Sequence, residues 1–235
     1  MTNPTQRTAE RHFYTGMSVA VLCVVLLGFG QSFYLRPFFP DSPAPSYPMV
    51  LFHGVLFSSW VGLFVAQVGF IRKDNFLLHR RAGTFAAYLA PVLVIQGALL
   101  AQSAVKVGRV DPRFGSALPL VLPVGDLLLF SMFVALGFLW RKKPQHHKRA
   151  MLLATINFIN AAIGRIPGAT QSEVIPALVF ASFVVAMAVW DRRSDGKVHR
   201  ITLVGGVLSV LSMPLRFMLS ETAAWKSFEQ WVVSL

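Results

Sequence analysis

Three histidines stand out because each precedes a basic residue at the start of a predicted helix. They are His79, His147 and His199, and the residues that follow them include Arg80 and Arg200. Imidazole is a ligand for Zn, Cu, Fe and Ni, and two imidazoles can hold a b-type haem from its two faces. An adjacent arginine could pair with a haem propionate. If the three helices are neighbours, the pattern predicts one site for a transition metal ion or a b-type haem. The alternative is a basic membrane-surface loop without a ligand.

A second set of polar residues lies within predicted helices, towards their opposite ends. These residues are His53, Gln96, Asp126, Asn157, Asn160, Arg165 and Arg216. Asp126 is about 13 Å into its helix at 1.5 Å per residue. A carboxylate inside a membrane costs about 2.5–3.5 kcal/mol, so we expect Arg216 or His53 to pair with it. The set predicts an outer polar pocket for a lipid-like or quinone-like molecule. The alternative is a hydrogen-bonded lock between helices.

The elements that carry these residues are long apolar segments. Hydrophobic residues make up 54% of the 235 residues and charged residues 14%, against about 25% charged in soluble domains. About 20 apolar residues cross the hydrocarbon of a bilayer. We therefore predict an all-α integral membrane protein with one domain (1–235), a cytoplasmic tail (1–12) and a seven-helix bundle (13–220). The predicted helices are 13–35, 49–71, 80–104, 117–140, 148–165, 173–190 and 200–220.

The Lys and Arg residues predict the orientation of this bundle. Of the 22, 15 fall in the N-terminal tail and in the segments 72–81, 141–149 and 191–200. Basic residues collect in short cytoplasmic loops, so the N-terminus and the three histidines are expected on the cytoplasmic side. The same rule explains the net charge of +12 without nucleic acid, for which no reading motif is present. Residues 223–235 have apolar positions at helical spacing and predict an interfacial helix on the outer side.

The run HGVLFSSWVGLFVAQVGFIRKDNFLLHRRAG (53–83), with HHKRAMLLATINFINAAIGR (146–165), carries a resemblance. It resembles an uncharacterised class of bacterial multipass membrane proteins with a His-Gly…Trp…Gln…His-Arg-Arg-x-Gly pattern. The resemblance covers the second to fifth helices. It implies a multi-pass protein of the bacterial cytoplasmic (inner) membrane, and no activity is carried over from it.

These observations favour a small membrane redox or cofactor-binding protein. It would hold a metal or b-type haem at the cytoplasmic histidines and a lipid-like or quinone-like ligand in the outer pocket. Two alternatives remain open: a non-enzymatic accessory subunit of a larger membrane complex, and a proton-coupled transporter of a small solute. No H-E-x-x-H zinc motif occurs, and catalytic residues are not assigned. The expected partners are membrane lipids, quinone and other membrane subunits.

Overall fold

The described part of the chain is mainly helical, with one short two-stranded ribbon. The computed structural model describes residues 4–40, 48–108, 110–111, 116–117, 120–168, 172 and 174–235. The helices are α1 (Pro4–Phe29), α2 (Pro48–Arg72), α3 (Phe76–Lys106), α4 (Val121–Leu139), α5 (Pro144–Phe158), α6 (Asn160–Ile163), α7 (Val174–Asp195), α8 (Arg200–Ser220) and α9 (Ala223–Ser234). A π-helical turn (Gly30–Tyr34) and a 3-10 turn (Arg36–Phe38) follow α1, and strands β1 (Val110–Asp111) and β2 (Ser116–Ala117) pair antiparallel. The all-α prediction is confirmed.

Six helices in the described part of the chain are long and apolar enough to cross a membrane. They are Pro4–Tyr34, Pro48–Arg72, Phe76–Lys106, Val121–Leu139, Val174–Asp195 and Arg200–Ser220. Many of their large apolar side chains face outward, as on Tyr88, Leu128 and Met218. Apolar surfaces on every side of a bundle are what lipid contact requires. These features are those of a multi-pass membrane protein.

The fifth predicted helix differs most from expectation. Instead of one helix over 148–165, the structure has α5 and α6, which are interrupted at Ile159. Alone, α5 has 15 residues, fewer than the ~20 of a membrane span. From Leu152 to Ile159 every residue is buried, so α5 lies at the centre of the bundle, against α4, α7 and α8.

The two ends of the bundle are defined by the residues that meet there. We call the end where α3, α5 and α8 begin the histidine end, because His79 contacts His147 there and His146 contacts His199. At the opposite end, called the carboxylate end, Asp126 of α4 meets Asn160 and Arg216. The segment α5–α6 therefore runs from the histidine end to the carboxylate end.

Small residues allow close packing where α1 crosses α6. A Cβ on Gly28 would collide with the main-chain oxygen of Ala162, so only glycine fits at this crossing. Gly205 and Gly206 likewise lie against α5 and α7 side chains, whereas Gly30 has open space around its Cβ direction.

Among the other helices, the observed bounds match the sequence prediction best in α8 and α9 and least in α1. The predicted tail, 1–12, is helical from Pro4 onward, and α1 extends straight through it. Positions 1–3, 118–119 and 173 of the predicted segments lie outside the described residues. The predicted helix 200–220 coincides with α8, and α9 (Ala223–Ser234) carries exposed Phe228 and Trp231 as an interfacial helix would.

Candidate functional site

His79 and His147 form a pair at the histidine end. Their ring centroids are 6.2 Å apart and the rings are perpendicular, at 89°. Nδ1 of His147 lies 2.8 Å from the main-chain oxygen of Gly137. Since that oxygen can only accept, Nδ1 donates, and the neutral tautomer of this ring has its lone pair on Nε2. Nδ1 of His79 is buried and has no hydrogen-bond partner among the described residues.

His199 belongs to a second pair and has a structural role of its own. Its ring centroid is 5.0 Å from that of His146. Its Nδ1 accepts a hydrogen bond from the backbone N–H of Ile201 at 3.2 Å and caps α8. A neutral imidazole with an accepting Nδ1 carries its proton on Nε2. Neither nitrogen then has a free lone pair for a metal.

The three predicted ligands therefore do not converge on one point. His79 and His147 come together, whereas His199 lies against His146. In the described part of the chain, no group of three His, Cys, Asp or Glu side chains is arranged to hold a metal ion. Arg80 and Arg200, the predicted propionate partners, are both exposed.

Sequence reasoning missed a buried ion pair beside these histidines. Arg149 of α5 and Asp191 of α7 are each 1% exposed and approach to 2.5 Å, between Nη2 and Oδ1. The other oxygen of Asp191 accepts the backbone N–H of His199 at 3.1 Å. Arg149 also donates to Gln145 and to Asp195. The pair thus fastens α5, α7 and the start of α8 together.

These charges also affect the protonation of His199. Burial lowers the pKa of His199 below its ordinary value, and the positive charge of Arg149 and the neighbouring His146 lower it further. Asp191 and Asp195 act in the opposite direction but do not reverse the shift. The neutral form that caps α8 is therefore the favoured form.

The beginning of α1 is fastened to the same end of the bundle. Glu10 pairs with Lys148 at 2.5 Å, and the Lys148 ammonium lies 5.2 Å from the centroid of the Tyr14 ring. The Gln6 amide donates to the main-chain oxygen of Ser194 at 3.0 Å. Contacts with α5 and α7 therefore hold residues that, by sequence, resemble a free polar tail.

At the carboxylate end, Asp126 has the partner expected from its depth. Arg216 Nη1 lies 2.6 Å from Asp126 Oδ1, with side-chain exposures of 7% and 22%. The Asn160 amide donates to both oxygens of Asp126, at 3.2 and 3.3 Å. Arg216 also donates to the main-chain oxygen of Leu122 and to Ser212. Gly125 makes room, because a Cβ there would overlap the guanidinium.

The other predicted pocket residues form separate contacts. His53 Nδ1 lies 2.5 Å from Gln96 Oε1, and the Gln96 amide donates to the main-chain oxygen of Met49. Asn157 donates to Ser209 at 2.9 Å, nearer the middle of the bundle. Arg165 donates to the Ala161 carbonyl and lies 5.3 Å from the centroid of Phe29. His53 was the second candidate partner of Asp126, and the structure places it with Gln96.

Comparisons of the chain with family models, curated proteins and solved structures give no match in any of the three.

Proposed function

We propose that this chain is a small cofactor-binding protein of the bacterial cytoplasmic membrane, and that His79 and His147 hold its transition metal ion or b-type haem. The observation that carries the proposal is the state of the two rings. His147 presents a free Nε2 lone pair because its Nδ1 is bound to Gly137, and Nδ1 of His79 is buried without a partner among the residues described. Metal-binding histidines typically donate their second N–H to a backbone carbonyl in this way.

Of the four histidines at the histidine end, His79 and His147 are the ligands, and the other two have different roles. His199 is committed to capping α8, and His146 packs on His199 and on Trp140, 5.6 Å between centroids. A haem would bring electron-transfer chemistry to this end of the bundle, and a metal ion would bring Lewis-acid chemistry. In either case, His79 and His147 supply lone pairs and the Gly137 carbonyl orients one of the two rings.

The test uses full-length protein purified from a haem-competent host. A visible spectrum detects a Soret band, and elemental analysis detects bound metal. We expect His79→Ala and His147→Ala to lose most of the cofactor, because each removes a bond and distorts the geometry of the other. His146→Ala is the matched control, one residue along the same helix, and should keep it. Full retention in both ligand variants would rule the proposal out.

The proposed topology has seven crossings with the histidine end in the cytoplasm. It is supported by the path of α5–α6 between the two ends and by its length, since 20 residues (144–163) span about 30 Å as helix. The excess of Lys and Arg on the segments of the histidine end supports the orientation. Arg149 at the start of α5 is neutralised by Asp191, which lowers the cost of placing this polar helix at the centre.

A second function is favoured by one observation at the carboxylate end. The Asp126 side chain is 22% exposed although its partner Arg216 is 7% exposed, and it adjoins the interruption of the central helix at Ile159. Interrupted helices with a polar residue at the break are common at ligand and proton sites in membrane proteins. Binding of a lipid-like or quinone-like molecule, or proton-coupled transport, would act here. Uptake that Asp126→Asn abolishes while the cofactor stays bound would favour the transporter over an accessory subunit.

A further inference from the structure

Gln67 lies on α2 beside the His79–His147 pair, and its side chain is incompletely used. Its Oε1 is buried and accepts no hydrogen bond from any residue that the structure describes. Its Nε2 lies against α3 at Gly83, where a Cβ would come within 3.3 Å. Gly83 is four residues after His79, so the two positions share a face of α3. The amide of Gln67 therefore fills the space next to the His79 imidazole.

Nδ1 of His79 is buried without a hydrogen-bond partner among the described residues. In the neutral tautomer that carries its proton on Nε2, this Nδ1 has a free lone pair. In the His147 ring the roles are reversed, because its Nδ1 faces the main-chain oxygen of Gly137 and its Nε2 is left with the lone pair. A buried imidazole nitrogen of His79 and a buried amide oxygen of Gln67, both without a partner among the described residues, therefore lie beside a second imidazole, whose centroid is 6.2 Å from that of His79.

We propose that Gln67 Oε1, His79 Nδ1 and His147 Nε2 are three ligands of one divalent transition-metal ion. This inference rests on the proposed function. It narrows the cofactor from a haem or a metal ion to a metal ion that has an oxygen ligand. Two imidazoles bound at about 2.0–2.1 Å to one tetrahedral ion have centroids roughly 5 Å apart, so the two rings, at 6.2 Å, would approach by about 1 Å when the ion binds. Two imidazoles and one neutral oxygen suit Zn, Co or Ni better than they suit a metal that prefers thiolate ligands.

The surrounding charge permits a cation at this position. Arg80 and Arg81 are exposed to water, where their charges are screened. Lys148 is paired with Glu10 and Arg149 with Asp191. The three ligands are neutral, so the complex would keep the full charge of the ion, and a tetrahedral ion would have a fourth position for water.

The experiment is a titration of chelator-treated, full-length protein in detergent with Co²⁺, read by its visible absorption, followed by competition with Zn²⁺. We expect one ion per chain. Gln67→Ala should weaken Co²⁺ binding by about 10–100-fold, and Gln67→Glu should tighten it, because a carboxylate is a stronger ligand than an amide. Gln102→Ala is the matched control, since that amide on α3 is bound to the Val232 carbonyl at the other end of the helix.

The outcomes separate this inference from the proposed function. If His79→Ala and His147→Ala bind Co²⁺ as the unaltered chain does, both are wrong. If those variants lose Co²⁺ but neither Gln67→Ala nor Gln67→Glu changes its affinity or spectrum, only the assignment of Gln67 is wrong. A Soret band in protein that binds no Co²⁺ supports haem at the histidines and overturns the three-ligand site. Gln67→Glu gives a readout even if Gln67→Ala does not fold.

Discussion

Arg149 and Asp191 carry opposite charges at buried positions, where each charge alone would be costly. Both are 1% exposed, and an ion pair gains from burial only when its remaining hydrogen bonds are also satisfied. Here Gln145 and Asp195 complete the guanidinium, and the His199 N–H completes the carboxylate. The pair and its hydrogen bonds therefore join three helices, α5, α7 and α8, at one point.

We predict that Asp191→Ala lowers the free energy of unfolding by about 3–5 kcal/mol, because Arg149 is left buried without its charge partner. The double variant Arg149→Met/Asp191→Leu should recover most of that loss. Thermal unfolding in detergent measures both. Asp74→Ala is the control, because its partner Arg11 is at the surface and exposed pairs contribute little. A small loss in Asp191→Ala equal to that in Asp74→Ala would contradict the prediction.

Asp126 allows a second test at this scale. Asp126→Ala should lower the free energy of unfolding by about 3–5 kcal/mol at most, since it leaves Arg216 buried without its charge partner. Asp126→Asn should cost less because the amide can still bond Asn160 or the guanidinium. If Asp126 is only a lock, removing both charges in Asp126→Ala/Arg216→Ala restores stability and leaves ligand binding intact. If it is a functional site, the double variant folds but binding is lost, which a ligand-induced shift in melting temperature would detect.

At the scale of elements, local capping signals could be read from the sequence, whereas tertiary pairings could be read only where depth in the membrane fixed them. Helix α8 was predicted with its observed bounds because its start has a polar residue before an apolar segment. The nine helical residues before 13 were missed, because their stability comes from contacts such as Glu10–Lys148 rather than from apolar periodicity. The Asp126–Arg216 pair was foreseen from depth alone. Arg149–Asp191 and His53–Gln96 were not, because they depend on how each helix is rotated.

The cap of α8 gives a pH-dependent prediction. His199 has a lowered pKa in the folded chain, so the unfolded chain binds the proton more readily. The resulting stability is fully present above the unfolded pKa, about 6.5, and is lost as the pH falls through the folded value. We expect the melting temperature of the unaltered protein to fall between pH 7 and pH 5 more steeply than that of His199→Asn, which keeps a capping side chain. His12→Asn, which alters an exposed histidine, should follow the unaltered protein.

At the scale of the whole molecule, the number of crossings depends on α5 and α6. If they cross the membrane, the turn before α5 and the turn after α6 lie on opposite sides. Single cysteines placed by Lys142→Cys and Pro167→Cys, both at exposed positions, report this after Cys23→Ala removes the native thiol. In intact cells, a membrane-impermeant thiol reagent should label Pro167→Cys and not Lys142→Cys. Labelling of both or neither would place the two turns on one side, leaving six crossings.

The docking of α9 bears on the order in which the protein matures in the cell. The Glu229 carboxylate accepts the backbone N–H of Leu120 at 2.7 Å, and the Gln102 amide donates to the Val232 carbonyl at 3.1 Å. Glu229 is translated 109 residues after Leu120. The helices α5 to α8 must therefore be synthesised before this bond at the start of α4, close to Asp126, can form. Chains truncated before α9 would lack this bond at the start of α4, so we expect proteolysis of such chains to begin there.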